Sequence, residues 1–152
     1  MLTIAKESHI LDVFQNMRED DLREVLATFR SDSKGDLAQS LINAPCVKYA
    51  VIHDHRACAL MGISPVWPGV GQAWLIGTHE VGSYGVEVAH AAKIVINNHL
   101  KSMHRIHAYS AEFHAQAHQW LEMIGFVRES TLKQYGKNGE DFYCYAITRS
   151  VP

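Results

Sequence analysis

The sequence predicts one mixed α/β domain over residues 1–152, with a central twisted mixed sheet of about six to seven strands flanked by helices. Two observations predict it. Apolar residues alternate with a period of two near both ends of the chain, which is typical of β-hairpins. Between them, residues 73–126 follow the order strand, glycine-rich loop, helix, strand, helix.

A short strand and three helices are predicted to open the domain. Leu2–Ala5 alternates as a strand does, and Ser8 is expected to cap a helix over Ile10–Met17. Acidic Asp20–Asp21 starts a second helix, because carboxylates suit the positive end of the helix dipole. Leu37–Ile42 is expected to form a short third helix that ends before a proline.

Two hairpins are predicted on either side of the central unit. Val47–Ile52 and Ala57–Ile63 are apolar strands joined by the polar turn His53–Arg56. Val127–Tyr135 and Asp141–Arg149 form the second hairpin, whose last strand is rich in β-favouring residues.

The central unit begins with the apolar strand Ala73–Gly77. An apolar-faced helix is predicted over Val86–Met103, and the strand Arg105–Tyr109 follows it. A second helix over Ala115–Ile124 is expected to end at Gly125, because glycine is the usual helix terminator. Together the elements predict helices on both faces of the sheet.

Composition narrows the function classes. With 14 Lys and Arg against 16 Asp and Glu, the net charge is −2, so nothing favours a nucleic-acid partner. No apolar run approaches the roughly 20 residues of a membrane span, and the start of the chain does not read as a signal peptide. The three cysteines, Cys46, Cys58 and Cys144, lack metal-type spacing and suit a reducing compartment. A cytoplasmic location is therefore expected.

The element order, together with the helix end Ala117–Phe126, resembles the GNAT fold of acyl-CoA-dependent N-acyltransferases. In that signature a small residue is followed by a helix end and then Gly-Phe, here Gly125 and Phe126. The likeness covers essentially the whole chain. It implies transfer of an acetyl or other acyl group from acetyl-CoA or another acyl-CoA to an amine acceptor.

A narrower resemblance is carried by Met17–Val25, Trp74–Thr78 and Trp120–Phe126. These segments are similar to the GNAT-like internal virion protein A family of short-tailed phages and its prophage relatives. This resemblance implies an alternative function, a catalytically silent structural or binding protein. Its partners would be phage virion or host proteins, its location would extend to the virion, and a homodimer is a further partner state left open.

The resemblance places the cofactor loop at Gly77, Thr78, Gly82, Ser83 and Gly85, where backbone N–H groups at a helix start would bind the pyrophosphate. The glycine spacing differs from the family signature, and no Lys or Arg lies between residues 78 and 86. The alternative interpretation is a glycine-rich turn that only permits a tight strand-to-helix connection.

Proton transfer needs a base for the amine and an acid for the departing thiolate. Glu80 is the predicted base, with Glu112 as the alternative, and Tyr109 and Tyr84 are the candidate donors toward the thiolate. His114 takes the place of a family asparagine and can do acid–base chemistry near neutral pH. Leu121 stands where family members often carry a tyrosine donor, so the proton-donor motif is degenerate.

No metal site is predicted, although His114 and His118 are four residues apart on one helix. A zinc site needs a third and a fourth ligand, and no cysteine lies near this pair. The sequence therefore leaves an acyltransferase and a silent GNAT-like protein as the two functions to be distinguished.

Overall fold

Seven strands form one sheet in the order β1-β2-β3-β4-β5-β7-β6, and five helices flank it, in a computed structural model that describes residues 1–151. The strands are β1 (Leu2–Ile4), β2 (Lys48–His53), β3 (Arg56–Trp67), β4 (Val70–Gly77), β5 (Arg105–Ala111), β6 (Val127–Leu132) and β7 (Phe142–Thr148). The helices are α1 (Glu7–Gln15), α2 (Glu19–Ala27), α3 (Lys34–Asn43), α4 (Gly85–His99) and α5 (Ala115–Ile124). A 3-10 helix, His79–Tyr84, precedes α4. The predicted mixed sheet with flanking helices is confirmed.

The sheet is antiparallel except at its centre. β4 and β5 are parallel neighbours, because α4 carries the chain back across one face before β5 begins. Every other pairing is antiparallel. The parallel pair at the centre therefore places α4 and α5 on one face of the sheet.

The core consists of two main layers, one on each face of the sheet. On one face, α4 packs its small and branched residues against Met61, Ile106 and Tyr145. On the other face, α1 and α3 cover Leu60 and Ile76. The alternation of side chains along each strand divides these residues between the two faces.

Several predicted boundaries differ from the structure, and three of the differences have a clear local cause. α1 begins at Glu7 with Lys6 at the N-cap, so Ser8 lies inside the helix; the Lys6 N–H donates to His9 Nδ1 at 3.1 Å instead. α4 ends at His99 because the N–H groups of residues 102 and 103 turn back to the His99 carbonyl. β3 continues through Pro65, which is tolerated because pairing with β2 ends at Gly62 and leaves that edge free.

The helix end at Gly125 follows the prediction. Gly125 has a φ of +115°, and the Gly125 and Phe126 N–H groups donate to the Leu121 carbonyl at 3.1 and 2.9 Å. Phe126 then enters the core at 3% exposure. This turn directs the chain from α5 into β6.

On the surface, the hairpin tip between β3 and β4 leaves Trp67 exposed at 66% of its area. Among the described helices, none combines the length and the apolar character that a bilayer crossing requires.

Candidate active site

β4 and β5 part partway along their length. They pair from Val70 and Arg105 to Gln72 and His107, and beyond these residues no ladder joins them within the described chain. β4 stays paired to β3 as far as Gly77, while β5 stays paired to β7 as far as Ala111. Each strand is thus held on its outer side, and a wedge opens between their facing edges.

A cavity of about 330 Å³ occupies this wedge and reaches both faces of the sheet. On the α4–α5 face its wall is apolar, formed by Ala92, Val95, Ile96, Leu121, Ile124 and Phe126. On the α2 face the lining includes Val25, Thr28, Trp74, Tyr109, Tyr135 and Phe142. The volume lies at the small end of the range for ligand pockets, which is about 300–1,000 Å³.

The start of α2 covers the open end of the wedge. The Arg18 N–H donates to the Gly77 carbonyl at 2.9 Å, and Asp21 Oδ2 accepts the Gly77 N–H at 2.6 Å. The Arg18 guanidinium donates hydrogen bonds from Nε and Nη2 to the Asp21 carboxylate. Its third nitrogen, Nη1, donates to Gln116 Oε1 on α5 at 2.7 Å. It also lies 4.9 Å from the centre of the Trp120 ring. A bridge from α2 to α5 therefore spans this end.

Beside this bridge, a buried acid–base pair lines the cavity. His114 is 3% exposed, and its Nε2 lies 2.5 Å from Asp21 Oδ1 and 3.8 Å from Glu24 Oε2. Three buried polar atoms find no hydrogen-bond partner in the described residues: Glu24 Oε2, His114 Nδ1 and Ser110 Oγ. All three residues line the same cavity. Since buried polar atoms are rarely left unpaired, a water in the cavity or a polar group of a ligand is the natural partner for them.

The surroundings shift the pKa values of both groups. Burial raises the pKa of Glu24 to about 8, against the opposing effect of the nearby His114 charge. Burial alone would lower the pKa of His114, but the hydrogen bond that His114 donates to Asp21 and the charge of Glu24 outweigh it, so this pKa is raised. The pKa of Glu24 therefore lies in the range where acid–base catalysts work.

Of the predicted catalytic residues, the structure brings Tyr109 and His114 to the cavity and does not bring Glu80. Tyr109 stacks on Tyr135 with ring centres 5.7 Å apart. Glu80 is exposed on the 3-10 helix, outside the cavity lining. The alternative base, Glu112, is also exposed. His114 and His118 bind separate partners, Asp21 and the Ala111 carbonyl.

The predicted cofactor loop runs as the 3-10 helix directly into α4. Two of its groups are already paired inside the protein: the Gly77 N–H with Asp21, and the Thr78 hydroxyl with the Cys58 carbonyl at 3.3 Å. Thr78 Oγ1 also accepts the Glu80 N–H and so caps the 3-10 helix. The remaining three predicted residues, Gly82, Ser83 and Gly85, lie toward the surface.

The sequence reasoning missed the cluster on α2. Arg18, Asp21 and Glu24 follow each other at intervals of three residues, which places them along one side of a helix. That spacing was a usable signal, because three charged residues on one side can face a common polar site. Asp21 was assigned only to the helix dipole.

Comparison with protein-family models finds no match, and comparison with curated protein sequences finds none either. Comparison with solved structures does. A ribosomal-protein-alanine N-acetyltransferase from Brucella melitensis superposes with a TM-score of 0.77 at 14% identity, over 98% of this chain and 99% of that one. A GNAT-family acetyltransferase from Bacillus anthracis gives a TM-score of 0.75 at 17% identity, over 97% and 93%.

A third similar structure is a ribosomal alpha-N-protein acetyltransferase in complex with coenzyme A, with a TM-score of 0.75 at 12% identity over 97% of this chain and 92% of that one. Identities this low establish the fold alone. The chain therefore has the fold of the GNAT acetyltransferases.

The wedge can be tested for its fit to an acyl-CoA. The cavity follows the parted strands, and its unpaired polar atoms offer partners to a thioester arm. At Gly82 the nearest atom to an added Cβ is Gln116 Nε2 at 3.8 Å, so a ligand can approach the backbone there. Residues 78–86 contain no Lys or Arg. The wedge has room for an acyl-bearing arm. In the loop, the N–H groups of residues 77–81 are already hydrogen-bonded inside the protein, so a phosphate would have to be held by the turn that follows them.

Proposed function

We propose that this protein transfers an acyl group from an acyl thioester, of the acetyl-CoA type, to an amine. The observation that carries the proposal is the cavity between the parted strands, whose wall holds Glu24 and His114 with unpaired buried atoms. The GNAT fold supports acyl transfer as the class of reaction. Leu121 stands where a tyrosine would donate a proton to the thiolate, and in this protein His114 takes over that donation while Glu24 acts as the base.

An acyl-CoA held in the wedge would provide an acyl carbon already activated by its sulfur. Glu24, as a carboxylate, accepts a proton from the amine while the new C–N bond forms. His114 Nδ1 donates a proton to the sulfur as the C–S bond breaks, while the Nε2 proton stays in the hydrogen bond to Asp21. The amine thus gives one proton to Glu24 and the sulfur receives one from His114, so that an amide and a thiol are formed. Exchange of one proton with solvent at each of the two groups then restores Glu24 and His114.

Asp21 and Arg18 position this pair. Asp21 holds His114 by its Nε2, and Arg18 fixes Asp21 with two of its guanidinium nitrogens. The charged groups facing Glu24 are His114, Asp21 and Arg18. Because Glu24 must lose its proton to act as a base, activity should rise with pH through about pH 8. Because His114 must keep its proton to act as an acid, activity should fall again once His114 is deprotonated.

The proposal is tested by following thiol release from acetyl-CoA in the presence of a panel of primary amines. Glu24→Gln should lower kcat about 100-fold or more and abolish the rise with pH. Glu19→Gln, an exposed carboxylate at the start of the same helix, is the matched control and should leave both unchanged. Amine-dependent thiol release that is equal in Glu24→Gln and the unmodified protein would contradict the assignment of the base.

The second candidate is a silent GNAT-like protein, structural or binding, of the phage internal virion type. The observation favouring it is the Arg18–Gln116 bridge, which covers the wedge end where an acyl-CoA would enter. This candidate predicts no thiol release with any amine and a stable association with other phage or host proteins. Amine-dependent turnover would rule it out.

A further inference from the structure

We infer that the acceptor is a small primary amine with an aromatic or alkyl body and no acidic group, bound on the α2 side of the wedge with its ammonium at Glu24. The inference rests on the proposed function, because it identifies the acceptor of that reaction. The unpaired polar atoms determine where the ammonium binds, the aromatic residues determine the body of the acceptor, and the charges exclude an acidic group.

The ammonium position follows from the unpaired carboxylate. Glu24 Oε2 is buried without a hydrogen-bond partner among the described residues, on the cavity wall formed by α2. An alkylammonium supplies both the donors and the charge that this oxygen lacks. An amine held there is also beside the group that accepts its proton.

The body of the acceptor follows from the aromatic wall, which is defined by Trp74, Tyr109, Tyr135 and Phe142. Tyr135 stacks on Tyr109 and meets Phe142 edge-on, with ring centres 5.7 and 5.5 Å apart. Tyr135 is 49% exposed, so the wall reaches solvent at this point and gives a route of entry. Such surfaces favour an aromatic or alkyl group and, near the ammonium, add attraction between the cation and the rings.

The absence of an acidic group follows from the charges. Arg18 is the one lysine or arginine among the described lining residues, and its guanidinium is committed to Asp21 and Gln116. A carboxylate on the carbon next to the ammonium would lie beside the carboxylates of Glu24 and Asp21, and like charges at this distance repel. Amino acids are therefore poor acceptors, although they carry the same amine.

The size of the acceptor follows from the volume. The cavity of about 330 Å³ must hold both the acyl-bearing arm and the acceptor. This leaves room for a small molecule on the α2 side rather than for several residues of a peptide.

The test is a calorimetric titration of the protein alone, without acyl donor, at about pH 8.5 so that Glu24 is ionised. Phenylethylamine should bind, and phenylalanine should bind at least about tenfold more weakly. Glu24→Gln should weaken phenylethylamine by about tenfold or more. Glu24→Gln should leave the neutral analogue phenylethanol unchanged, which also shows that the aromatic wall is intact in this variant. Glu19→Gln should bind all three as the unmodified protein does.

The inference is overturned if phenylalanine binds as well as phenylethylamine, if Glu24→Gln binds the amine unchanged, or if a tripeptide with a free N-terminus binds more tightly. Because the titration contains no acyl donor, a failure of acyl transfer leaves its result unaffected. Conversely, turnover of other amines together with no binding of phenylethylamine would overturn this inference and leave the proposed function standing.

Discussion

Burial of Glu24 lowers the free energy of unfolding when its carboxyl group is ionised. Its pKa is about 8 when folded, and its ordinary value is 4.5, because burial disfavours the carboxylate. Between these two pH values the folded state binds a proton that the unfolded state has lost, so the free energy of unfolding falls as the pH rises through this window. A residue with this cost is typical of a functional site.

Glu24→Gln should therefore stabilise the protein at about pH 8.5 by up to about 5 kcal/mol and have little effect near about pH 4.5, since each pKa unit is worth about 1.4 kcal/mol. Urea unfolding at the two pH values measures the difference, with Glu19→Gln as the control. A stabilisation that is equal at both pH values would contradict the raised pKa.

Asp21 holds together three parts of the site. Asp21 is 3% exposed. Its carboxylate accepts hydrogen bonds from the Arg18 guanidinium, from the Gly77 N–H and from His114 Nε2. Asp21→Asn leaves the partly buried Arg18 without its counter-charge, so we expect a loss of about 3 kcal/mol in urea unfolding. Asp20→Asn, its exposed neighbour, should change stability by no more than about 0.5 kcal/mol. A small loss in Asp21→Asn would mean that the cluster does not hold the wedge end.

In the same variant, the pKa of His114 should fall, because the hydrogen bond and the charge that raise it are weakened. The imidazole signals in an NMR titration follow this pKa directly. An unchanged His114 pKa would contradict the contact with Asp21.

The sequence predicts some of the residues that line the cavity between β4 and β5. His114 is identified because the family resemblance marks its position, and Tyr109 because a tyrosine at the end of a predicted strand can donate a proton; both line the cavity. Glu24 could not be identified in this way, because it reaches the wedge from a helix that is distant in sequence. Its 3.8 Å approach to His114 joins residues 90 positions apart, and no local pattern encodes such a contact.

At the scale of elements, the ends of helices and strands are predicted best where a local sequence signal terminates the element. α5 was predicted with the bounds that the structure has, because Gly125 terminates it. The end of α4 was placed too late because its apolar pattern continues into the turn at Met103. β3 was placed too short because Pro65 reads as a strand breaker, and only the sheet topology shows that its edge is free.

The helix terminator gives an element-scale prediction. Gly125→Ala should destabilise the protein by about 1–2 kcal/mol, because φ is +115° there and L-residues pay for that conformation. Gly35→Ala is the matched control: this glycine lies inside α3 with a helical backbone and free space, so alanine should stabilise by about 0.5–1 kcal/mol. Thermal unfolding measures both. Equal effects in the two variants would contradict the turn at the end of α5.

At the scale of the whole molecule, the wedge is a product of topology. β4 pairs on its outer edge with β3, and β5 pairs on its outer edge with β7. These pairings hold both strands in place beyond Gln72 and His107, where β4 and β5 are no longer paired with each other. A sheet that opens in this way connects the helices of both faces through one cavity. The two strands part before they reach Gly77 and Tyr109, so the wedge extends along the last residues of both strands.

The central claim is that this wedge receives an acyl thioester, and thermal unfolding with acetyl-CoA tests it most directly. At 100 times the dissociation constant, binding should add about 2.7 kcal/mol, or roughly 5–10 °C in Tm. Ala108→Leu, which places a larger side chain on the cavity wall, should abolish the shift, whereas Ala115→Leu at an exposed position of α5 should retain it. No shift at millimolar acetyl-CoA, or an equal shift in Ala108→Leu, would contradict the claim.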